Sequence, residues 1–410
     1  MKNNQLKWML FTIFIIAFSL RLSAVLNQEE IKKILRSDDK EYDEMAVNLT
    51  SGNGFSQLIN DSVRPVTRRV PVYPLFLAFI YSIFGHSYIA VKIIQAVIGA
   101  LFCIIIFYIT YMMYGDELTG FVASAFTALY KPFVSGFSFY GGPTSLLSEY
   151  FYMFILGLTI LITMRFIKYG DIKFGVLSGI FMGLTILTRP EFVLFSILLA
   201  IYLFYISKLS LKRFFKKYFI IYLFITLTMT SWVARNYVIF KEFIPLTTLE
   251  GYIFFLGNNS SAKGGWIFKD KDFLESVQNS KNLSDAQKSR IFFKAGMKEL
   301  TDNPKRISKL FIKKILVHWA PFEERFKIFN PFYAFILIFG SIGILFFRKR
   351  LILENVLLII FLSTTLIAVL TFGEPRYRYS YEPYLIIFAA LAISELIKKI
   401  NSHCNSDDKT

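Results

Sequence analysis

Charged side chains in this chain collect beside its apolar runs and are scarce within them. Asp38 and Asp39 follow the first run, and Arg68-Arg69-Val-Pro71-Val-Tyr73-Pro74 comes after them. Glu149 opens a later run, Thr188-Arg189-Pro190-Glu191 fills a turn, Arg235-Asn236 closes a run, and Glu374, Arg376, Arg378 and Glu382 precede the last one. A carboxylate within reach of a hydroxyl, with a pKa at or below the working pH, accepts its proton in a transfer reaction. Asp38 is placed for that role. Planar guanidinium forks match phosphate oxygens two at a time, which suits Arg68, Arg69, Arg376 and Arg378 to an anionic lipid headgroup. Each feature also has a plainer reading. Asp38 and Asp39 can cap a helix and offset its dipole, and a single arginine can reach up to lipid phosphates. Glu149 has no basic neighbour in its own helix nearer than Arg165 at the far end, so its partner must lie across the bundle, with Arg21 a candidate.

These groups need elements to hold them. With 55% hydrophobic and 18% charged residues over 410 positions, the chain is too apolar for a soluble domain and belongs in a bilayer. Apolar windows fall at residues 8–26, 88–114, 118–137, 143–165, 172–188, 191–207, 216–236, 330–347, 351–372 and 384–397, which predicts an all-α polytopic bundle of about ten transmembrane helices. The first window is too long for the core of a cleaved signal and is expected to remain as a span. Lys2 and Lys7, Arg165 to Lys173, Lys208 to Lys217, Arg348 to Arg350, and Lys398 and Lys399 all fall on one side. The positive-inside rule makes that side cytoplasmic, with both termini in it, in a plasma (inner) membrane. The net charge of +17 is then mainly a topology signal, and no nucleic-acid partner is expected.

Two long segments, 27–87 and 237–329, land on the external side. Three regions follow: residues 1–240 with the first external loop, 241–329 as a second external loop, and 330–410 as C-terminal helices and tail. Ser37 to Leu49 reads as a helix capped by Ser37 or Asp38, with Tyr42, Met45, Ala46 and Leu49 inward. Val70 to Gly85 is too short to span and reads as an interfacial helix. Asn303 to Trp319 reads as a basic amphipathic helix, with Ile307, Leu310, Phe311, Ile315 and Leu316 on its apolar face. Sequons at Asn48, Asn60, Asn258, Asn259 and Asn282 carry no weight. Cys103 and Cys404 form no disulfide framework, and His86 and His318 are isolated. No phosphate-binding glycine loop, HExxH or Gly-x-Ser-x-Gly occurs, so nucleotide-driven transport and serine hydrolysis lack support.

Taken in order, Arg21-Leu, Asp38 four residues before Tyr42, Asn48-Leu49, Gly52-Asn-Gly54-Phe55, Arg69-x-Pro71-x-Tyr73-Pro74 and Phe84-Gly85 form a pattern. Ser148-Glu149, Thr188-Arg189-Pro190-Glu191, Trp232-Val-Ala-Arg235-Asn236, Gly257-Asn258-Asn259, Asn303-Pro304 and Arg376-Tyr-Arg378 extend it along nearly the whole chain. The pattern resembles the polyprenyl-phosphate-sugar glycosyltransferases of the GT-C fold, among them protein O-mannosyltransferases and the aminoarabinose transferases of lipid A. The resemblance implies inverting transfer of a sugar from a polyprenyl-phosphate donor to an envelope lipid, glycan or protein on the external face. It makes Asp38 (or its neighbour Asp39) the base, Glu149 a second catalytic acid, and Arg69, Arg235, Arg376 and Arg378 the donor-phosphate ligands. Arg21, Arg189, Glu191 and Asn258 then shape the cavity. No tightly bound cofactor or metal is expected, while a divalent cation stays compatible. The alternative is a flippase or other transporter of lipid-linked glycans without catalysis. Such a protein should show repeats and midplane polar groups, whereas the polar groups here gather at the outer rim.

Overall fold

An apolar run in hydrocarbon must satisfy its backbone internally, and every expected window contains helix in a computed structural model of the protein. The structure describes residues 3–27, 37–59, 61–136, 142–265, 271–280, 283–323 and 328–407. The helices of the first half are α1 Asn3–Leu26, α2 Ser37–Thr50, α3 Val72–Phe84, α4 Tyr88–Tyr114, α5 Glu117–Leu129, α6 Lys131–Ser135, α7 Ser148–Tyr169, α8 Ile172–Ile186 and α9 Phe192–Ser207. Those of the second half are α10 Leu211–Phe240, α11 Glu250–Asn258, α12 Lys271–Gln278, α13 Asp285–Asp302, α14 Pro304–Trp319, α15 Pro331–Ile342, α16 Ile352–Leu370, α17 Pro375–Tyr379 and α18 Glu382–Asp407. Helix α15 runs into a π-helical turn, Gly343–Phe347.

Among the described residues five helices, α1, α4, α7, α10 and α16, are long and apolar enough to cross a membrane, while α3, α5, α8, α9 and α15 are shorter apolar helices. The expectation of about ten spans is thus met at full length by five. Part of the difference is local: the window at 118–137 breaks at Tyr130, which is extended, because Pro132 starts a separate helix, α6. Two antiparallel hairpins also depart from an all-α chain, β1 Ser56–Ile59 with β2 Ser62–Pro65 and β3 Phe322–Glu323 with β4 Ile328–Phe329.

Helix α14 corrects the reading of its own faces. Its buried stripe is Leu310, Lys314 and His318, one residue every four, while Ile312 and Leu316 face outward. Lys314 is buried because its ammonium donates to Asn258 Oδ1 and to the Val369 carbonyl, both at 2.8 Å. Asn48, Asn258 and Asn259 are likewise buried and hydrogen-bonded, which withdraws those three sequons from the surface. Cys103 is free and buried. The expected cap from the Ser37 side chain, the sequons at Asn60 and Asn282 and the Cys404 side chain lie outside the described residues.

Helices α8 and α10 approach each other closely. Gly175, Gly179 and Gly183 recur every four residues on α8, and a Cβ on Gly179 would collide with the Ile221 carbonyl oxygen of α10. Small residues at this spacing let backbones meet where lipid provides no hydrophobic drive. Gly179→Leu should therefore cost roughly 1–3 kcal/mol or more through overpacking. The check is the thermal midpoint in detergent, where an unchanged value would contradict the close approach.

Candidate active site

Helix α2 positions the first acid. Tyr42, Met45 and Ala46 are buried on one side of α2, where Tyr42 and Ala46 pack with Tyr73 and Leu77 of α3 and Phe151 of α7. The Tyr42 hydroxyl lies 3.3 Å from Ser148 Oγ, one residue before Glu149. Asp38 and Asp39 are in the first turn of α2, and both are half-buried. Arg69 sits in the segment between β2 and α3. That segment is tied to the α10–α11 connection by the Thr247 hydroxyl donating to the Arg68 carbonyl at 2.7 Å and by the Thr248 amide donating to the Thr67 carbonyl at 3.1 Å. Arg376 lies in the short helix α17, which Pro375 begins.

These elements bring residues from far apart in sequence onto one line. Asp38 accepts from Arg69 through Oδ1 at 2.8 Å and from Arg376 through Oδ2 at 2.8 Å. Arg69 also donates its Nε to Glu41 at 2.7 Å, and its guanidinium stands over the Tyr42 ring. Arg376 donates its Nε to Glu149 Oε1, which also lies 3.3 Å from Arg189 NH1. Arg189 in turn donates to Glu191 at 2.5 Å. The line therefore reads Glu41, Arg69, Asp38, Arg376, Glu149, Arg189, Glu191, alternating in sign throughout. Glu149 is fully buried, and its Oε2 has no hydrogen-bond partner among the described residues.

Burial alone would raise the Asp38 pKa, but Arg69 and Arg376 outweigh it and hold the carboxyl at about 2, against an ordinary 3.8. The same balance works in reverse for the bases. Burial opposes the charge on Arg376 and Arg189, while Glu149 and Asp38 around the first, and Glu191 and Glu149 around the second, raise both pKa values further.

Other candidates are not brought to this line. Arg21 is fully buried, donating to the Tyr150 hydroxyl at 2.7 Å and to the carbonyls of Ala17, Thr127 and Ala128, so the expected pairing with Glu149 is replaced by a bond to the adjacent tyrosine. It satisfies carbonyls at the C-terminal end of α5, where a cation is favoured. Arg235 donates to the Val66 and Phe55 carbonyls at 2.8 and 2.7 Å and stacks near Trp232, closing the base of the β1–β2 hairpin. Arg378 donates to the His318 carbonyl at 2.7 Å and to Glu382 at 3.3 Å, with its guanidinium 3.7 Å from the Tyr333 ring centre. Asn258 links α11 to α16 and to Lys314.

Sequence reasoning passed over Glu41, and over Asp43, which accepts from Tyr81 at 2.6 Å, His86 at 2.8 Å and Tyr88 at 2.9 Å. The repeat of acids along α2 was the available signal. Burial holds His318 neutral, with its pKa down at about 3, and its Nε2 pairs with the Thr364 hydroxyl. Among the described residues no group of three or more His, Cys, Asp or Glu is placed to hold a metal ion. The acids of the site meet arginines instead of one another.

Residues 64–233, which include Arg69, Glu149 and Arg189, match the family described as dolichyl-phosphate-mannose-protein mannosyltransferase. Among solved structures, the Archaeoglobus fulgidus oligosaccharyltransferase tethered to an acceptor peptide superposes with a TM-score of 0.56 over 98% of this chain, at 15% identity. The chain has the GT-C glycosyltransferase fold. It spans about half the length of that relative, covering 51% of it. The same archaeal protein in complex with an inhibitory peptide and a dolichol-phosphate matches at 0.56 and 14% identity, over 100% of this chain and 52% of that one. ArnT from Cupriavidus metallidurans bound to undecaprenyl phosphate aligns at 0.47 and 11% identity, over 96% of this chain and 78% of that one. No curated protein sequence matches. On this GT-C frame the charged line joins α2, the segment before α3, the start of α7, the α8–α9 turn and α17.

The depressed Asp38 pKa makes a pH prediction. The folded value lies below the unfolded one, so the ion pairs stabilise fully above the ordinary carboxylate range and are lost as pH falls through about 2. The contribution is about 2 kcal/mol at neutral pH. The difference in unfolding free energy between the protein and Asp38→Asn should therefore close between about pH 4 and pH 2. A gap that stays constant over that range would contradict the pairing.

Proposed function

We propose that the protein is an inverting glycosyltransferase that takes a sugar from a polyprenyl-phosphate donor and places it on a lipid, glycan or protein of the cell envelope, at the external face of the plasma membrane. One observation carries this reading: Asp38, a proton acceptor, is held between two guanidiniums, Arg69 and Arg376, each with phosphate-matching geometry. The apolar helices long enough to cross a membrane, the GT-C fold and the dolichol-phosphate bound by the archaeal relative support it.

In the proposed reaction the acceptor X–H gives its proton to the Asp38 carboxylate while X forms a bond to the anomeric carbon from the face opposite the phosphate. The bond from that carbon to the phosphate oxygen breaks, and the electron pair leaves with the polyprenyl phosphate. Arg69 and Arg376 stabilise the charge that grows on it. With a pKa of about 2, Asp38 is a poor base while both arginines hold it. A donor phosphate competes for the same guanidiniums, and each one drawn away returns basicity to Asp38, so donor binding arms the base. Glu149 keeps Arg376 aimed through Oε1. Arg235 and Arg378 support the hairpin and α17, and Asp39 is the neighbouring acid of the same turn.

Asp38→Asn should reduce release of polyprenyl phosphate from the donor about 10²–10⁴-fold in kcat without weakening donor affinity, because the arginines lose a competitor. A wild-type rate would remove Asp38 from the reaction, and a reduced affinity with unchanged kcat would argue for a carrier. Arg69→Ala and Arg376→Ala should each weaken donor binding about tenfold or more. Retained affinity in both would refute the phosphate assignment. Guanidiniums supply the counter-charge in this reading, so turnover should survive a strong chelator with less than about a twofold change, where one divalent cation in that place would be worth several kcal/mol. Loss of turnover on chelation, restored by a divalent cation, would assign that counter-charge to a metal.

A further inference from the structure

A basic cavity lies near the linker before α17. Residues Ser260 to Lys263, after α11, face Arg306, Lys309, Leu310 and Lys313 of α14 across a cavity of about 360 Å³. Among the described residues, four of the eight lining side chains are cationic, two are serines, and none is a carboxylate. The wall is built rather than incidental. Arg306 donates to the Asn259 and Ala262 carbonyls at 3.1 and 2.5 Å, pinning the loop to the helix. Asn259 accepts the Ser261 amide at 2.9 Å, and Gly264, at φ +104, packs its backbone against Lys313. With these carbonyls satisfied by Arg306, the cavity presents mainly donors: ammonium groups and hydroxyls.

We propose that this cavity binds a phosphate-bearing anion, held by Lys263, Lys309 and Lys313 against the fixed Arg306 and assisted by the Ser260 and Ser261 hydroxyls. Strong acceptors with more than one charge suit several converging ammonium donors better than chloride or a carboxylate does. The site is separate from the line of charges around Asp38 and does not depend on the reaction assigned there. It adjoins that line through backbone: the Gly264 carbonyl accepts the Gly373 amide at 2.8 Å, three residues before Arg376.

The test uses the full chain in phosphatidylcholine nanodiscs. Inorganic phosphate is titrated calorimetrically in one arm. In the other, phosphatidylglycerol is added to the bilayer and the lipid retained by the purified protein is measured by mass spectrometry. Lys309→Ala with Lys313→Ala removes two ammonium donors and should weaken saturable binding about tenfold or more. Lys309→Arg with Lys313→Arg should restore it. Lys294→Ala with Lys298→Ala, an exposed pair on α13, should leave it unchanged. Sensitivity in the phosphate arm identifies a free phosphate group as ligand, and sensitivity only in the lipid arm identifies a headgroup. Equal behaviour of the two alanine pairs, or no saturable binding in either arm, overturns the proposal.

Discussion

Arg376 is the residue on which the site depends. Its guanidinium reaches Asp38 in α2 with one nitrogen and Glu149 in α7 with another, so three parts of the chain, more than a hundred residues apart in each step, meet on one planar group. A carboxylate as deep as Glu149 cannot stay ionised without a partner, and a guanidinium at that depth needs one equally. Each therefore fixes the other. The line continues from these two to Glu41 at one end and Glu191 at the other, so that each inner member is flanked by opposite charge on both sides.

Arg376 stands on a helix of five residues, too short to hold itself, and the rest of the fold supplies the rigidity. Arg378, two positions on, is buried between the His318 carbonyl, Glu382 and the Tyr333 ring. The linker before α17 is equally constrained: a Cβ on Gly373 would run into the Lys314 carbonyl oxygen, and one on Gly257 into that of Thr371. Lys314 and His318, polar residues on the buried stripe of α14, make sense in this setting. They join α14 and the end of α11 to α16 and so to the linker that carries Arg376.

The elements of this arrangement were legible in sequence because they follow from apolar runs and prolines. The helices α2, α3 and α14 and the turn at Arg189-Pro190-Glu191 lie where periodicity and proline place them. The site was legible only as a set of residue types. Sequence placed Asp38, Arg69, Glu149, Arg189 and Arg376 at the membrane edge, but an edge is a ring, and nothing local says which arginine on it faces which acid. Arg21 and Glu149 shared a rim, yet helix rotation turns Arg21 towards Tyr150, the next residue. Lys314 misled for a related reason: amphipathic patterning puts a lysine outside unless a carbonyl and an amide await it inside, and those belong to Asn258 and Val369, far away in sequence.

The charge inventory says how the site meets an anion. Four carboxylates, those of Glu41, Asp38, Glu149 and Glu191, face three guanidiniums, those of Arg69, Arg376 and Arg189, with Arg68 beside Glu41 at the exposed rim. Among the described residues the line has no spare positive charge. An arriving phosphate therefore cannot simply fill a vacancy; it must displace a carboxylate from an arginine. Glu41 and Glu191 lie at the ends, and Glu149 is buried and already shared between two arginines. Asp38 is the most exposed of the four carboxylates and is held from both sides, by Arg69 and by Arg376. In the proposed reaction the group that such an anion releases is an acid whose basicity the arginines suppress, which couples donor occupancy to the appearance of a base.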